Sequence, residues 1–346
     1  MDQATLRFVI QLGIIGLTFF MLINASAVLV LAERKIMGFM QQRYGPYLVG
    51  PHGILQPLAD IVKLLFKEEL RPKDADKWLF TLAPIISVTA AFAAFAPVPW
   101  GAETTFGGLL NMPVKLGVAD VNVAVMVVFA ITSMGVYGIV LAGWSSNSKY
   151  SLLGGLRSSA QMISYELAYA TALASVIMLA GSLSLREMVD AQDGFWLGFI
   201  PRWYVFLQPI GFLIYTIAGV AETNRAPFDF PEAEQELVAG YNTEYSSVRF
   251  ALFPQAEYIN MTTMAAVATD LYLGGWHGIP ILDRYGLGWL WFLAKVGVIL
   301  FAYIWIRWTV PRYRYDQLMQ FGWKWLFPAA VLNLIATAAF MLYFNG

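Results

Sequence analysis

The chain has no cysteine and only two histidines, His52 and His277, in 346 residues. Without thiolates it cannot ligate an iron–sulfur cluster, build a thiolate metal site or form a disulfide. The two histidines fall in loops expected on opposite sides of a membrane, so they cannot share a haem. No Gly-x-Gly-x-x-Gly or phosphate-loop pattern follows a candidate strand. Charge is scarce as well: 13% of residues are charged, against 58% hydrophobic. These absences leave a chain with no evident redox or nucleotide cofactor of its own.

What is abundant is apolar and aromatic. Mean hydropathy is +0.59, with 24 Phe, 17 Tyr and 12 Trp, the composition of a polytopic membrane protein. A span needs about 20 apolar residues. Eight such stretches are predicted, near 7–31, 79–98, 120–142, 160–181, 203–221, 250–275, 289–310 and 326–344, with Asp120 as the N-cap of the third. The first is too long for a signal-peptide core and lacks a small-residue cleavage site, so it is expected to be a permanent anchor. An even number of spans puts both termini on one side. That side carries five cations (Arg7, Lys115, Arg186, Arg202 and Arg284) and the other sixteen, with Lys295 inside a span. The positive-inside rule therefore predicts outer (periplasmic) termini and cytoplasmic loops at 32–78, 143–159, 222–249 and 311–325. No repeat or low-complexity segment interrupts residues 1–346, which are expected to form a single membrane domain.

The polar residues that do occur are concentrated. Glu222-Thr-Asn-Arg225-Ala-Pro-Phe-Asp229-Phe-Pro-Glu232-Ala-Glu234-Gln-Glu236 places five carboxylates and one Arg in fifteen residues. Acids crowded beside apolar segments resist ionising together and exchange protons as a coupled set. Part of the run has a simpler reading, because Asp229-Phe-Pro-Glu232 resembles a helix-starting capping box. That covers two carboxylates at most. Glu166 and Glu257 lie inside predicted spans, where a charged side chain is costly unless neutral, paired or wet. Tyr165 and Tyr169 flank Glu166 as candidate hydrogen-bond partners. Lys295 is expected to serve as a structural partner for a buried acid, and Asp270 and Asp283 receive no role. Glu33-Arg34-Lys35 forms a charged group where the first span ends, and Arg34 there can simply snorkel to the interface. Residues 54–67 predict an amphipathic interfacial helix whose polar stripe is Gln56, Asp60, Lys63 and Lys67. Basic residues interleaved with aromatics at 307–316 read as a membrane-boundary anchor or docking surface rather than a nucleic-acid site.

The runs Ala32-Glu33-Arg34-Lys35, Gln42-Arg43-Tyr-Gly-Pro46, Gln56-Pro-Leu-Ala-Asp60-Ile-Val-Lys63, Gln161-Met-Ile-Ser-Tyr-Glu166, Glu222-Thr-Asn-Arg-Ala-Pro-Phe-Asp229 and Arg314-Tyr-Asp316-Gln-Leu-Met occur in one order over nearly the whole length. In this the chain resembles the H subunit of the proton-translocating NADH:quinone oxidoreductase, respiratory complex I, counterpart of the mitochondrial NADH dehydrogenase subunit 1. The resemblance implies an all-α polytopic protein of about eight transmembrane helices, an interfacial amphipathic helix and a structured acidic cytoplasmic loop. It implies a bacterial inner membrane, or the mitochondrial one, as the location. It implies a quinone chamber involving Glu33, Arg34, Arg43, Asp60, Arg225 and Phe228, and proton coupling through Glu166, Glu222, Asp229, Glu232, Glu234, Glu236 and Glu257. Quinone is then the substrate, and FMN and iron–sulfur clusters sit in partner subunits. Those partners are the quinone-site and terminal iron–sulfur subunits of the hydrophilic arm and the other membrane-arm subunits. Replacing Glu234 by Gln is expected to lower quinone reduction without preventing assembly.

Other classes are weaker fits. A secondary proton transporter needs buried carboxylates too, but commonly shows paired repeats with broken helices, which this sequence lacks. A passive anchor for a soluble enzyme explains the basic loops but not Glu166, Glu222 and Glu257 at membrane depth. The equivalent component of a membrane-bound hydrogenase shares the scaffold, and the quinone-chamber residues favour the NADH enzyme over it.

Overall fold

A computed structural model describes residues 3–104, 113–196, 200–229, 238–278 and 286–345. Eight principal helices answer the eight predicted stretches: α1 (Gln3–Met40), α3 (Lys77–Phe95), α4 (Ala124–Ser145), α5 (Lys149–Ala180), α8 (Pro209–Glu222), α9 (Ser247–Tyr272), α10 (Gly288–Thr309) and α12 (Phe327–Asn345). Between them lie the short helices α2 (Gln56–Phe66), α6 (Leu185–Asp190), α7 (Tyr204–Leu207) and α11 (Tyr315–Phe321). Two small antiparallel pairs are also present: β1 (Gly101–Thr104) with β2 (Val114–Leu116), and β3 (Phe195–Trp196) with β4 (Ile200–Pro201). Six of the helical stretches are long and apolar enough to cross a membrane. The remaining two are explained by their contents. Helix α8 is apolar but only 14 residues long. Helix α9 has 26 residues but carries Glu257 and Asp270, and most of its side chains from Ala256 onward are buried by its neighbours. The chain is an all-α, multi-pass membrane protein.

Its outer surface is inverted relative to a soluble protein. Phe8, Phe20 and Val28 on α1 and Leu332, Leu342 and Tyr343 on α12 are exposed, as helices bordered by hydrocarbon require. The interior is aromatic. Tyr165, Tyr215 and Tyr272 are fully buried in the central cluster with Phe292 and Trp276. Phe80 stacks on Tyr245 at 4.0 Å in a second cluster. Lipid tails give helices no hydrophobic reason to associate, so close packing must do it. At Gly138 of α4 an added Cβ would stand 2.0 Å from Ser87 Oγ and 3.0 Å from the Ala83 carbonyl of α3. At Gly154 of α5 it would meet the Gly240 backbone at 2.6 Å.

Several boundaries differ from expectation for local reasons. Helix α1 continues without a break to Met40, so Glu33, Arg34 and Lys35 are helical. Helix α5 starts at Lys149, well ahead of residue 160 and inside the predicted loop 143–159. Asp120 does not cap the third span. That helix begins at Ala124 after Val123, and the Asp120 carboxylate is held by Lys115 at 2.5 Å. A true carboxylate cap occurs at Asp76, which accepts from the Trp78 and Leu79 amides at the start of α3. The amphipathic prediction holds: α2 covers 56–66 and has no buried residue, and Lys67 falls just past its end.

Candidate functional site

Helix α1, helix α2, the first turns of α9 and the last turn of α10 enclose a cavity of about 520 Å³. Its wall is apolar along Ala27, Val30, Ile61 and Pro254, and polar at Glu33, Arg34, Asp60, Arg225, Glu257, Tyr258 and Arg307. Neighbouring helical residues point about 100° apart, and this divides the Glu33-Arg34 pair. Arg34 turns toward α2 and binds Asp60 at 2.6 Å, while Gln56 holds the other Asp60 oxygen at 3.0 Å. Glu33 turns inward. Its Oε2 accepts from the Tyr258 hydroxyl at 2.6 Å, and its Oε1 binds the Arg307 guanidinium.

A second acid completes the group. Arg225 lies 3.9 Å from Glu33 and 3.4 Å from Glu257, with its guanidinium 4.1 Å above the Tyr258 ring. Tyr241 donates to Glu257 Oε1 at 3.3 Å. Two carboxylates and two guanidiniums thus sit at the inner wall, and Glu33, Arg225 and Glu257 are each less than a tenth exposed. Buried charges persist only when compensated: each of these is ion-paired, and both carboxylates also accept from a tyrosine hydroxyl.

Beyond Glu257 lies a cavity of about 20 Å³, the size of a single water. It is lined by Glu222, Asn224, Asn260 and Ser87 as well as Glu257. Glu257 therefore borders both spaces. Glu222 ends α8 and is 7% exposed, and its Oε2 makes no hydrogen bond among the described residues. The turn after it is pinned from below, because Gln161 of α5 donates to the Ala221 and Phe228 carbonyls at 3.0 and 2.7 Å. Glu166 is within electrostatic reach of Glu222 and hydrogen-bonds Ser133 of α4.

Residues 12–338 match the family described as NADH dehydrogenase. An NADH-quinone oxidoreductase H subunit from Geobacter metallireducens, the one numbered 2, is 54% identical over 316 residues, covering 88% of this chain and 88% of its own. The chain belongs to the H-subunit family of NADH-quinone oxidoreductase. The H subunit numbered 1 from the same organism is 49% identical over 337 residues, 97% of this chain and 98% of its own length. One from Koribacter versatilis, numbered 2, is 47% identical over 356 residues, 99% of each.

Within this family's fold the residues singled out from sequence do not all meet. Glu33, Arg34, Asp60, Arg225 and Glu257 share the larger cavity. Arg43 is outside it, exposed on the turn after α1 with its Nε on Gln41 at 2.8 Å. Phe228 is also outside, buried between Tyr165 and Tyr313 with ring centroids 5.3 and 6.2 Å away. Asp229 is held through its backbone carbonyl by Arg312. Glu232, Glu234 and Glu236, like Asp283, lie outside the described residues, and so does part of the capping-box pattern that begins at Asp229. The tyrosines beside Glu166 serve other partners: Tyr165 donates to the Leu318 carbonyl, and Tyr169 to Tyr215. Lys295 donates to the carbonyls of Leu273, Gly275 and His277 at 2.6 to 2.8 Å. It thereby satisfies backbone at and beyond the α9 end, and its charge also reaches Asp270.

Three cavity residues escape a reading of the sequence. Arg307 stands out there only as the end of a span, and Tyr241 and Tyr258 carry no distinguishing pattern. The one available signal is Tyr258 beside Glu257. Arg307 is 274 positions from Glu33, a pairing no local pattern displays.

Proposed function

We propose that this chain is the membrane subunit that houses quinone in a proton-translocating NADH:quinone oxidoreductase and starts the coupling of its reduction to proton movement. The observation that carries the reading is the position of Glu257. One carboxylate faces both a cavity with an apolar wall, open to a hydrophobic ligand, and a water-sized cavity leading to Glu222.

The cavity suits a quinone. An isoprenoid tail fits the apolar side along α1 and α2, and a carbonyl-bearing head group fits the charged inner wall. Electrons come from NADH through FMN and iron–sulfur clusters in the hydrophilic-arm partners, since this chain has no cysteine. Reduction of quinone to quinol takes up two electrons and two protons, so negative charge develops in the chamber before protons arrive. Arg225 and Arg307 are placed to balance that charge. As they do so, their hold on Glu33 and Glu257 weakens, and the carboxylates take up protons. A unit charge about 7 Å away acts on a buried carboxylate with roughly 2 kcal/mol at an effective dielectric near 20, enough to shift its protonation more than tenfold. Glu257 then passes its proton through the small cavity to Glu222 and on to Glu166. Asp229, Glu232, Glu234 and Glu236 supply the chamber side of the same path. Arg34 with Asp60 forms the chamber mouth, Arg43 lies exposed beyond it, and Phe228 braces the loop against Tyr165. The cation count supports a periplasmic placement of both termini.

Glu257→Gln tests this in membranes. NADH oxidation with a quinone acceptor is expected to collapse while oxidation with a water-soluble artificial acceptor persists. Full quinone activity refutes the role of Glu257. Loss of both activities makes it an assembly residue.

A further inference from the structure

At the end of α9 away from the chamber, a second group of buried polar side chains has no part in the path just described. Asp270 stands thirteen residues beyond Glu257 on α9, about 20 Å further along the axis at 1.5 Å per residue. Its side chain is fully buried, and neither carboxyl oxygen has a hydrogen-bond partner among the described residues. Arg186 of α6 and Lys295 of α10 act on it electrostatically without a close ion pair. Tyr272 Oη, Trp276 Nε1 and Arg186 Nε are likewise buried and make no hydrogen bond among the described residues. Arg186 lies 5.3 Å from the Trp276 ring centroid. Buried donors and acceptors gathered in this way are ordinarily bridged by internal water.

This group has a way out. Arg186 also lines a cavity of about 310 Å³ with Gln11, Lys115 and Asp120, and its Nε is 3.8 Å from Asp120. Toward the chamber stand three buried tyrosines, Tyr169, Tyr215 and Tyr272. Tyr169 feels both Glu222 and Glu166, its hydroxyl is 3.5 Å from that of Tyr215, and the Tyr215 ring meets Tyr272 at 5.5 Å.

We propose that Asp270 is a protonatable site on the face opposite the chamber, which takes up and releases a proton through the water-accessible cavity beside Arg186. A carboxyl this deep must be neutral, paired or hydrated, and the two cations allow both of its states: the anion faces Arg186 and Lys295, and the acid is hydrated. The buried tyrosines Tyr169, Tyr215 and Tyr272 lead from Glu222 towards this end of α9, and Tyr272 stands two residues along α9 from Asp270. Its use in pumping rests on the quinone–proton reading above, and the existence of the site does not.

The test is labelling of the intact complex, in sealed vesicles, with dicyclohexylcarbodiimide. This lipid-soluble reagent reacts with a protonated carboxyl. The acid proton moves to a carbodiimide nitrogen and the carboxyl oxygen bonds the central carbon, after which the adduct rearranges to a stable N-acylurea. With the chamber-side pH fixed, raising the pH on the opposite side by two units is expected to lower the Asp270 adduct, located by peptide mass spectrometry, about tenfold. No adduct on Asp270 at any pH, or a yield that follows the chamber-side pH, overturns the proposal. For its use in pumping, Asp270→Asn is expected to reduce the protons moved per NADH oxidised and Asp270→Glu to restore them. An unchanged ratio removes Asp270 from the pump. Failure of the quinone–proton reading shows separately, as full quinone activity in Glu257→Gln.

Discussion

The Arg225–Glu257 pair offers the sharpest test of the chamber, through a double-mutant cycle on quinone reduction. Arg225 faces Glu257 at 3.4 Å and is 7% exposed. Replacing Arg225 by Gln leaves Glu33 and Glu257 with only Arg307 to balance them. Removing one partner of a buried pair costs about 3–5 kcal/mol, because the remaining charge is uncompensated. If half of that cost falls on the quinone-reducing step, about 2 kcal/mol, the rate with quinone drops roughly thirtyfold. Glu257→Gln alone is also expected to lower the rate, but the double variant has no uncompensated charge left to relieve. Its loss is therefore expected to match that of Glu257→Gln, with a coupling energy of about 2 kcal/mol. The assay is kcat/KM for a short-chain quinone in membranes, normalised to NADH oxidation with an artificial acceptor so that assembly is divided out. Losses that add within about 0.5 kcal/mol would show that the two residues act independently, and would refute the charge balance drawn between them.

Other expectations follow from single contacts. Tyr258→Phe removes the 2.6 Å hydrogen bond to Glu33 but keeps the ring beneath Arg225. Hydrogen bonds to charged groups contribute about 1.5–3 kcal/mol, so quinone reduction is expected to slow at least several-fold in complex that still assembles, as seen on a native gel. Gln161→Leu removes the side-chain donor to the buried Phe228 carbonyl and one of the donors to the Ala221 carbonyl, at a cost of about 1–3 kcal/mol. It should lower the temperature at which quinone activity is lost before it affects the artificial-acceptor rate. Gly138→Ala drives a Cβ into Ser87 and α3 backbone, so less assembled complex is expected in the membrane. Adding Ser87→Gly should recover part of it, and a failure to recover would place the main conflict at the Ala83 carbonyl instead.

The features visible in sequence are those with a local period. Gln56, Asp60 and Lys63 recur at helical spacing, and α2 forms where they predict it. Long apolar runs likewise mark the eight principal helices. The acid-rich turn at Glu222 and the buried Glu166 stand out because carboxylates are rare in such surroundings. Sequence does not show which charges meet. Glu33 and Arg34 are adjacent, yet one points at α10 and the other at α2. The family resemblance implies a chamber role for Phe228, but the turn pinned by Gln161 sets it against Tyr165. Lys295 suggests a carboxylate partner, and three backbone carbonyls hold it first. Each difference arises where chain neighbours, or complementary charges, are not spatial neighbours.

Helix α1 has a mechanical consequence. Its 38 unbroken residues make a rod about 57 Å long at 1.5 Å per residue, nearly twice the roughly 30 Å hydrocarbon thickness. It must therefore lean, protrude, or do both. Its lipid-facing length, from Phe8 to Val28, and its chamber residues Glu33 and Arg34 belong to one stiff body. Thinner or thicker lipids are expected to change the lean of the rod, and with it the meeting of Arg34 and Asp60 at the cavity.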